Sequence, residues 1–265
     1  FYTIKDIRLF RIFVMHAWTI SGEPTKHLEP WGTAGAFSTI RMLPNGNMPF
    51  RDAHLKRLLE SAQILGQQWI PDQTIIEKRL DEYLSNLSSG EGLIRICLFE
   101  QSIGISDRPA ESDGKEVEGW LMQYRRPIPA AKSTEEKDLY GRLSELDITS
   151  EDWIIIDPKD NDIRESATAN LIFVQGNNLM IPEKRILQGI TLRHLISRLQ
   201  DSFSITRSSP LDQDISQFDE VLLCGTGRGV APLTSLPELG WSSRSNDVFK
   251  EVRLIYEQLI TDTNA

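Results

Sequence analysis

The stretch NDIRESATANLIFV, residues 161–174, constrains the fold of this chain more than any other. Glu165 is followed by the small residues Ser166, Ala167, Thr168 and Ala169, and the chain then enters the apolar run Leu171-Ile172-Phe173-Val174. A short apolar run of this kind is consistent with an interior strand. Such a strand does not begin beside an unpaired carboxylate, because an uncompensated buried charge costs on the order of several kcal/mol. The fold must therefore supply Glu165 with a partner.

Around this stretch the apolar spacing alternates between strand-like and helix-like segments. Residues 35–43 (GAFSTIRML) and 47–50 flank Pro44-Asn45-Gly46, and Asn-Gly signals a hairpin. Next comes RDAHLKRLLESAQILG, a helix with Asp52 as cap, Leu55, Leu58, Leu59, Ala62 and Leu65 as apolar stripe and Gly66 as stop. A second helix is expected at 73–87. Strands follow at 92–99 and 117–124, separated by the polar loop QSIGISDRPAESDGKE. Two prolines in RRPIPAA make residues 125–131 a linker between a smaller domain, 1–124, and a larger one, 132–265.

In the second half a helix is expected at 133–146, then strand Trp153-Ile154-Ile155-Ile156 and the turn PKDND ahead of the opening stretch. A hairpin passes through Gly176-Asn177-Asn178 into Leu179-Met180-Ile181, and Gly189-Ile190-Thr191 opens another helix. DEVLLCGTGRGVAPL reads as a strand and a glycine-rich turn, and Val248, Val252, Ile255, Tyr256 and Leu259 mark a terminal helix. Hairpins outnumber βαβ units, so the fold class is α+β, with two α/β domains and mixed sheets.

Several function classes fall away. No apolar run approaches the ~20 residues of a membrane span, so a soluble, non-membrane protein is expected. A net charge of -9 without a basic stripe disfavours nucleic acid as a partner. Cys97 and Cys224 sit in apolar strand-like surroundings, which suits reduced core thiols and a cytoplasmic location. His16, His27, His54 and His194 show no metal-ligand spacing, so no metal site is expected.

Two turns carry the marks of anion binding. In LQGITLRHL (187–195) Gly189 precedes a helix start, where unpaired N–H groups and the helix dipole attract a phosphate-sized anion and Thr191 adds a hydroxyl. In LLCGTGRGVAP (222–232) Gly225, Gly227 and Gly229 surround Thr226 and allow close backbone approach to a ligand. Each alone also fits an ordinary tight turn. On the 52–65 helix Arg57 lies three residues after His54, on the same face, and could grip a phosphate, although a solvated basic face reads the same way.

Taken in order, GAFSTIR, HLKRLLESA, ESATANLIFV, ILQGITLRHL and GTGRGVAP resemble the motifs of fold-type IV pyridoxal-phosphate enzymes. That family includes branched-chain and D-amino-acid aminotransferases and aminodeoxychorismate lyase, and the resemblance runs from about residue 32 to 260. It implies a D-amino-acid aminotransferase-like architecture, pyridoxal 5'-phosphate as cofactor, a small-molecule amino substrate and a homodimer. Glu165 would hold the protonated pyridine nitrogen. Arg57, Ile190, Thr191 and Thr226 would clasp the cofactor phosphate. The cofactor-bearing lysine lies some thirty-odd residues before the glutamate in relatives, which selects Lys132; Lys137 is closer, and Lys159 lies in the turn beside Glu165. The tyrosine that relatives place four or five residues beyond that lysine is replaced here by Glu136 or Lys137, and Tyr140 comes later.

Within the family the short chain, and Ser38 where many aminotransferases carry glutamate, favour aminodeoxychorismate lyase, which releases pyruvate and 4-aminobenzoate. A branched-chain or D-amino-acid aminotransferase and a non-catalytic binding protein of the same fold are the alternatives. Ser38, Thr39 and Arg41 are expected to face substrate. Arg95 or Arg108 would meet a carboxylate, with Arg108 reaching across a dimer contact.

Overall fold

The computed structural model describes residues 15–27, 30–87 and 90–263, so the first fourteen residues of the expected 1–124 domain lie outside it. Strands β1 (Met15–Thr19), β2 (Pro24–His27) and β3 (Gly35–Met42) precede helices α1 (Arg51–Ile64) and α2 (Gln73–Leu84), and β4 (Gly92–Phe99) and β5 (Ser102–Arg108) follow. The five strands form one antiparallel sheet in the order β2-β1-β5-β4-β3. Leu55, Leu58 and Ala62 of α1 and Ile76 and Leu80 of α2 bury their apolar stripes against Ile40, Ile94, Ile96 and Ile105 of that sheet. Side chains alternate along a strand, so the residues of β3 and β4 between these contacts point to the opposite face.

The chain then runs through β6 (Val117–Gln123), α3 (Lys137–Tyr140), β7 (Glu151–Ile156), β8 (Ile163–Ser166), β9 (Asn170–Gln175), β10 (Asn178–Ile181) and α4 (Ile190–Leu199). It ends with β11 (Ser204–Arg207), β12 (Glu220–Gly225), β13 (Gly229–Leu236), β14 (Trp241–Ser242) and α5 (Asp247–Asp262). The larger sheet is mixed, in the order β11-β10-β9-β12-β13-β6-β7-β8, with β14 on β13. Because β8 also pairs with β9 through Glu165 and Asn170, β9, β12, β13, β6, β7 and β8 close into a ring. Ile154, Ile156, Leu171, Phe173, Val221, Leu223 and Leu233 pack in one buried cluster, and Ile172, Leu222, Val230 and the apolar faces of α4 and α5 form another. The α+β class with mixed sheets matches the expectation from the sequence.

Four local expectations are corrected. Pro44-Asn45-Gly46 does make a tight turn, with Gly46 at φ 81° and its N–H donating to Leu43 O at 2.8 Å. The chain beyond it enters α1 instead of returning as a strand, because β3 takes β4 as its partner. Asp52 does not cap α1: it lies in the first turn, and the cap position is Phe50 in the left-handed region at φ 60°. The polar loop at 101–116 contains β5, which pairs with β4 and β1. The helix expected at 133–146 shrinks to α3 and a 3-10 turn at Gly141–Glu145. Its first residues are instead drawn onto the edge of β3, where Phe37 N–H donates to Lys132 O at 3.0 Å and Thr134 N–H to Gly35 O at 2.9 Å.

The division between the sheets also falls earlier than the prolines suggest. β6, inside the expected 1–124 unit, pairs in parallel with β7 and β13 of the larger sheet. The change of sheet therefore lies at 109–116, ahead of residues 125–131.

Candidate active site

One cleft between the two sheets is lined by Phe37 and Thr39 from β3, Arg57 from α1, Arg95 from β4, Arg108 from β5, and Lys132. From the larger sheet and its turns come Glu165, Ile190, Thr191 and Thr226. The residues singled out in five separate sequence motifs thus meet in one place.

Lys132 reaches the cleft because its backbone is fixed on both sides: its carbonyl accepts from Phe37, and its N–H donates to Ser61 Oγ of α1 at 3.2 Å. The amine lies 4.6 Å from the Phe37 ring centroid and 5.1 Å from that of Tyr140, and donates to Tyr140 Oη at 3.4 Å. Burial first, and then the guanidiniums of Arg57 and Arg126, hold it well below the ordinary lysine range. This shift favours the neutral amine, the form that acts as a nucleophile or base.

Glu165 finds the partners that its sequence demanded. One oxygen lies 3.6 Å from Arg126 Nη1, and the other accepts from the Leu187 N–H at 3.3 Å. Burial pushes the carboxyl above its usual range, while Arg126 and the Leu187 amide pull the other way. Arg126 also donates to Glu136 at 2.9 Å and to Tyr140 Oη at 3.2 Å. Asn170 fastens the approach to α4: its side chain donates to Leu187 O at 2.9 Å, and a Cβ on Gly189 would stand 1.9 Å from Asn170 Oδ1. Glycine is required there, which brings the Ile190 and Thr191 amides to the cleft.

At the far side of the cleft Arg57 donates to Ser38 Oγ at 2.9 Å, and among the described residues its Nε is buried without a hydrogen-bond partner. Burial, with Arg193 and Arg126 adding to it, pushes the Arg57 guanidinium down to about 10, against the pull of Tyr140. Arg108 is likewise brought down to about 10, by burial and then by Arg95 and Arg228. The cleft is therefore short of negative charge at both the Arg57 and Arg108 ends, and an anion at either would lower its energy.

Two expected substrate contacts are corrected. Ser38 faces the opposite way from Thr39, as strand alternation requires, and is fully buried against Arg57 and His54. Arg41 is turned away from the cleft too. It makes a two-pronged ion pair with Asp113 at 2.8 Å and donates to Tyr256 Oη at 3.2 Å. Arg253 grips the same carboxylate at 2.8 and 3.1 Å. Gly229, at φ 61°, lies so close that a Cβ would be 2.5 Å from Asp113 Oδ1. This clamp fixes the 109–116 connection, whose Ser112 Oγ donates to Gly227 O at 3.3 Å beside the Thr226 turn. Arg108 lines the cleft of its own chain.

The sequence reading missed Trp31, Arg126, Tyr140 and Arg228, all of which line the cleft. Tyr140 lies eight residues after Lys132, yet α3 returns it to the amine, stacked on Trp31 at 5.0 Å between centroids. Arg228 donates to Asp152, Thr168 and two main-chain carbonyls, tying the glycine turn to the 166–169 loop. Elsewhere Asp157, Asp160 and Asp162 bring carboxylate oxygens within 4.8 Å of one another. Arg125, Arg164 and Arg185 already pair with that group.

A family model described as amino-transferase class IV matches residues 35–236. No curated protein matches the sequence. Among solved structures the chain is similar to the branched-chain aminotransferase of the thermophilic archaeon Thermoproteus uzoniensis, solved with norvaline. The two share 20% identity and a TM-score of 0.78, with 94% of this chain and 96% of that one covered. Similar too are the branched-chain amino acid aminotransferase of Escherichia coli (19% identity, TM-score 0.76, 94% and 95% covered) and a hypothetical aminotransferase of Mycobacterium tuberculosis in its PLP-bound form (17%, 0.74, 93% and 99%). No helix of the described residues is long and apolar enough to cross a membrane.

Proposed function

The chain belongs to the class IV aminotransferase family, and from that premise we propose that it is a pyridoxal-phosphate enzyme moving the amino group of a small substrate that carries a second carboxylate. The observation that carries this reading is Lys132: a buried amine, held neutral by its surroundings, in the same cleft as a buried carboxylate and an anion cup.

The residues present fit the cofactor. The partnerless Arg57 Nε and the helix start at Ile190 and Thr191 suit a phosphate, and Thr226 adds a hydroxyl. Glu165, facing Arg126, suits a protonated ring nitrogen, and Tyr140 suits the ring hydroxyl. The bound cofactor would supply an electron sink for the bond broken at the substrate's amino-bearing carbon.

The chain supplies the rest. Lys132, uncharged, takes the proton from that carbon and can return it one position away, which requires a base with no competing proton of its own. Arg126 offsets part of the burial that disfavours a charged Glu165, and Tyr140 accepts a hydrogen bond from the amine. Arg95, stacked over Trp31 at 4.7 Å, and Arg108 offer charge for the second carboxylate, so a dicarboxylic partner such as glutamate suits the cleft.

The second reading is release of pyruvate from aminodeoxychorismate, whose two carboxylates suit the same arginines. The argument for it from a hydroxyl at Ser38 falls away, since that hydroxyl is behind Arg57 and not in the cleft. A product assay of the cofactor-loaded protein separates the two. With L- and D-amino acids and 2-oxoglutarate on one side and aminodeoxychorismate on the other, amino transfer is expected to be the faster reaction. Faster formation of 4-aminobenzoate with pyruvate would establish the lyase instead.

A further inference from the structure

His54 is a deeply enclosed titratable group beside the cleft that the proposed chemistry leaves unused. It is 1% exposed and sits on α1 one turn from Arg57. Its Nδ1 is 3.1 Å from Ser38 Oγ, and its Nε2 is 3.5 Å from Thr226 Oγ1. The direction of these bonds follows from Arg57. A guanidinium can only donate, so the 2.9 Å contact makes Ser38 Oγ an acceptor from Arg57. The serine proton is then available to His54 Nδ1, and with the proton so placed Nδ1 is the acceptor. A neutral imidazole that accepts at Nδ1 carries its proton on Nε2, and that proton faces Thr226 Oγ1. Thr226 is thereby the acceptor of this bond, and its own hydroxyl proton remains available to the cleft.

We propose that His54 is a positioning residue of the anion clasp, acting as a neutral relay that joins Arg57 and Ser38 on the smaller sheet to Thr226 on the larger one and leaves the Thr226 hydroxyl a committed donor to the bound phosphate. The electrostatics support it: burial, with Arg57, Lys132 and His194 adding to it, holds His54 well below the ordinary histidine range. A charged imidazole would have no lone pair to accept the Ser38 proton and would set a second cation beside Arg57. Thr226 sits on the turn between β12 and β13, so a single ring behind Arg57 bridges the two halves of the cup.

This inference rests on the pyridoxal-phosphate reading, and its test distinguishes the two. Apo-protein is titrated with pyridoxal phosphate, with pyridoxal and with inorganic phosphate. If wild-type protein binds none of them, the cofactor reading and the relay both fail. Where wild type binds, His54→Gln and Thr226→Val are each expected to weaken pyridoxal phosphate by about tenfold while leaving pyridoxal nearly unchanged, and the double variant is expected to lose little more than either alone. A merely structural histidine would weaken both ligands alike. An unchanged preference for the phosphorylated ligand, or losses that multiply in the double variant, would overturn the relay. The wild-type protein gives an independent check by 15N NMR of the His54 ring. A neutral ring protonated at Nε2 is expected, and protonation at Nδ1 would overturn the proposal even if neither variant folds.

Discussion

Lys132→Ala is expected to fold, to bind the cofactor without a covalent link, and to lose turnover by roughly 10⁴-fold, the scale of a combined nucleophile and general base. Nothing else among the described residues brings an uncharged amine to the cleft wall formed by Phe37, Tyr140 and Glu165. Lys132→Arg does not rescue, because a guanidinium stays charged and cannot accept the substrate proton. Steady-state kcat, with far-UV circular dichroism as a control for folding, checks this. The same substitution has a stability signature. In the unfolded chain the lysine titrates near its ordinary value of about 10.4, whereas in the fold its amine is held neutral. Between the depressed folded value and the unfolded one the unfolded state binds the extra proton, so this group makes stability rise with pH across that window. Apo Lys132→Ala is therefore expected to show a flatter dependence of stability on alkaline pH than apo wild type, and an unaltered slope would mean that the buried amine is charged.

The second large effect is expected at Glu165. Glu165→Ala removes the carboxylate that would hold a ring nitrogen protonated, so the electron sink weakens, and kcat should fall by roughly 10²- to 10³-fold. Cofactor affinity should fall far less, because the proposed phosphate clasp of Arg57, Thr191 and Thr226 would be untouched. The fold should survive, since Arg126 retains Glu136 at 2.9 Å and Tyr140 at 3.2 Å. The Leu187 N–H loses its acceptor and Arg126 Nη1 its ion partner at 3.6 Å. Comparing kcat with the cofactor dissociation constant in the variant separates the two effects. Near-wild-type turnover would show that Glu165 is buried for structural reasons alone.

Much of the site was legible because the signals were local. A carboxylate at the mouth of an apolar strand demands a partner, and Arg126 and the Leu187 amide supply it. A glycine ahead of a helix start marks an anion site because the chemistry belongs to the backbone. Strand β4 was read at its observed limits, 92–99, for the same reason. What escaped was set by contacts distant in sequence. Strand β5 is polar at its end, and only its pairing with β4 and β1 makes it a strand. Tyr140 reaches Lys132 because residues 132–134 dock on β3 and α3 then turns back, which no spacing rule contains. Ser38 and Thr39 differ only in which face of β3 they occupy, and that was decided by α1 packing behind the strand. Arg41 went to Asp113, 72 residues away, for want of any local carboxylate signal.

Whether Lys132 carries the cofactor opposite Glu165 is decided by borohydride reduction followed by peptide mapping. The predicted result is a single phosphopyridoxyl adduct on the peptide containing Lys132. An adduct on Lys137 or Lys159, or none on a protein saturated with pyridoxal phosphate, would contradict it.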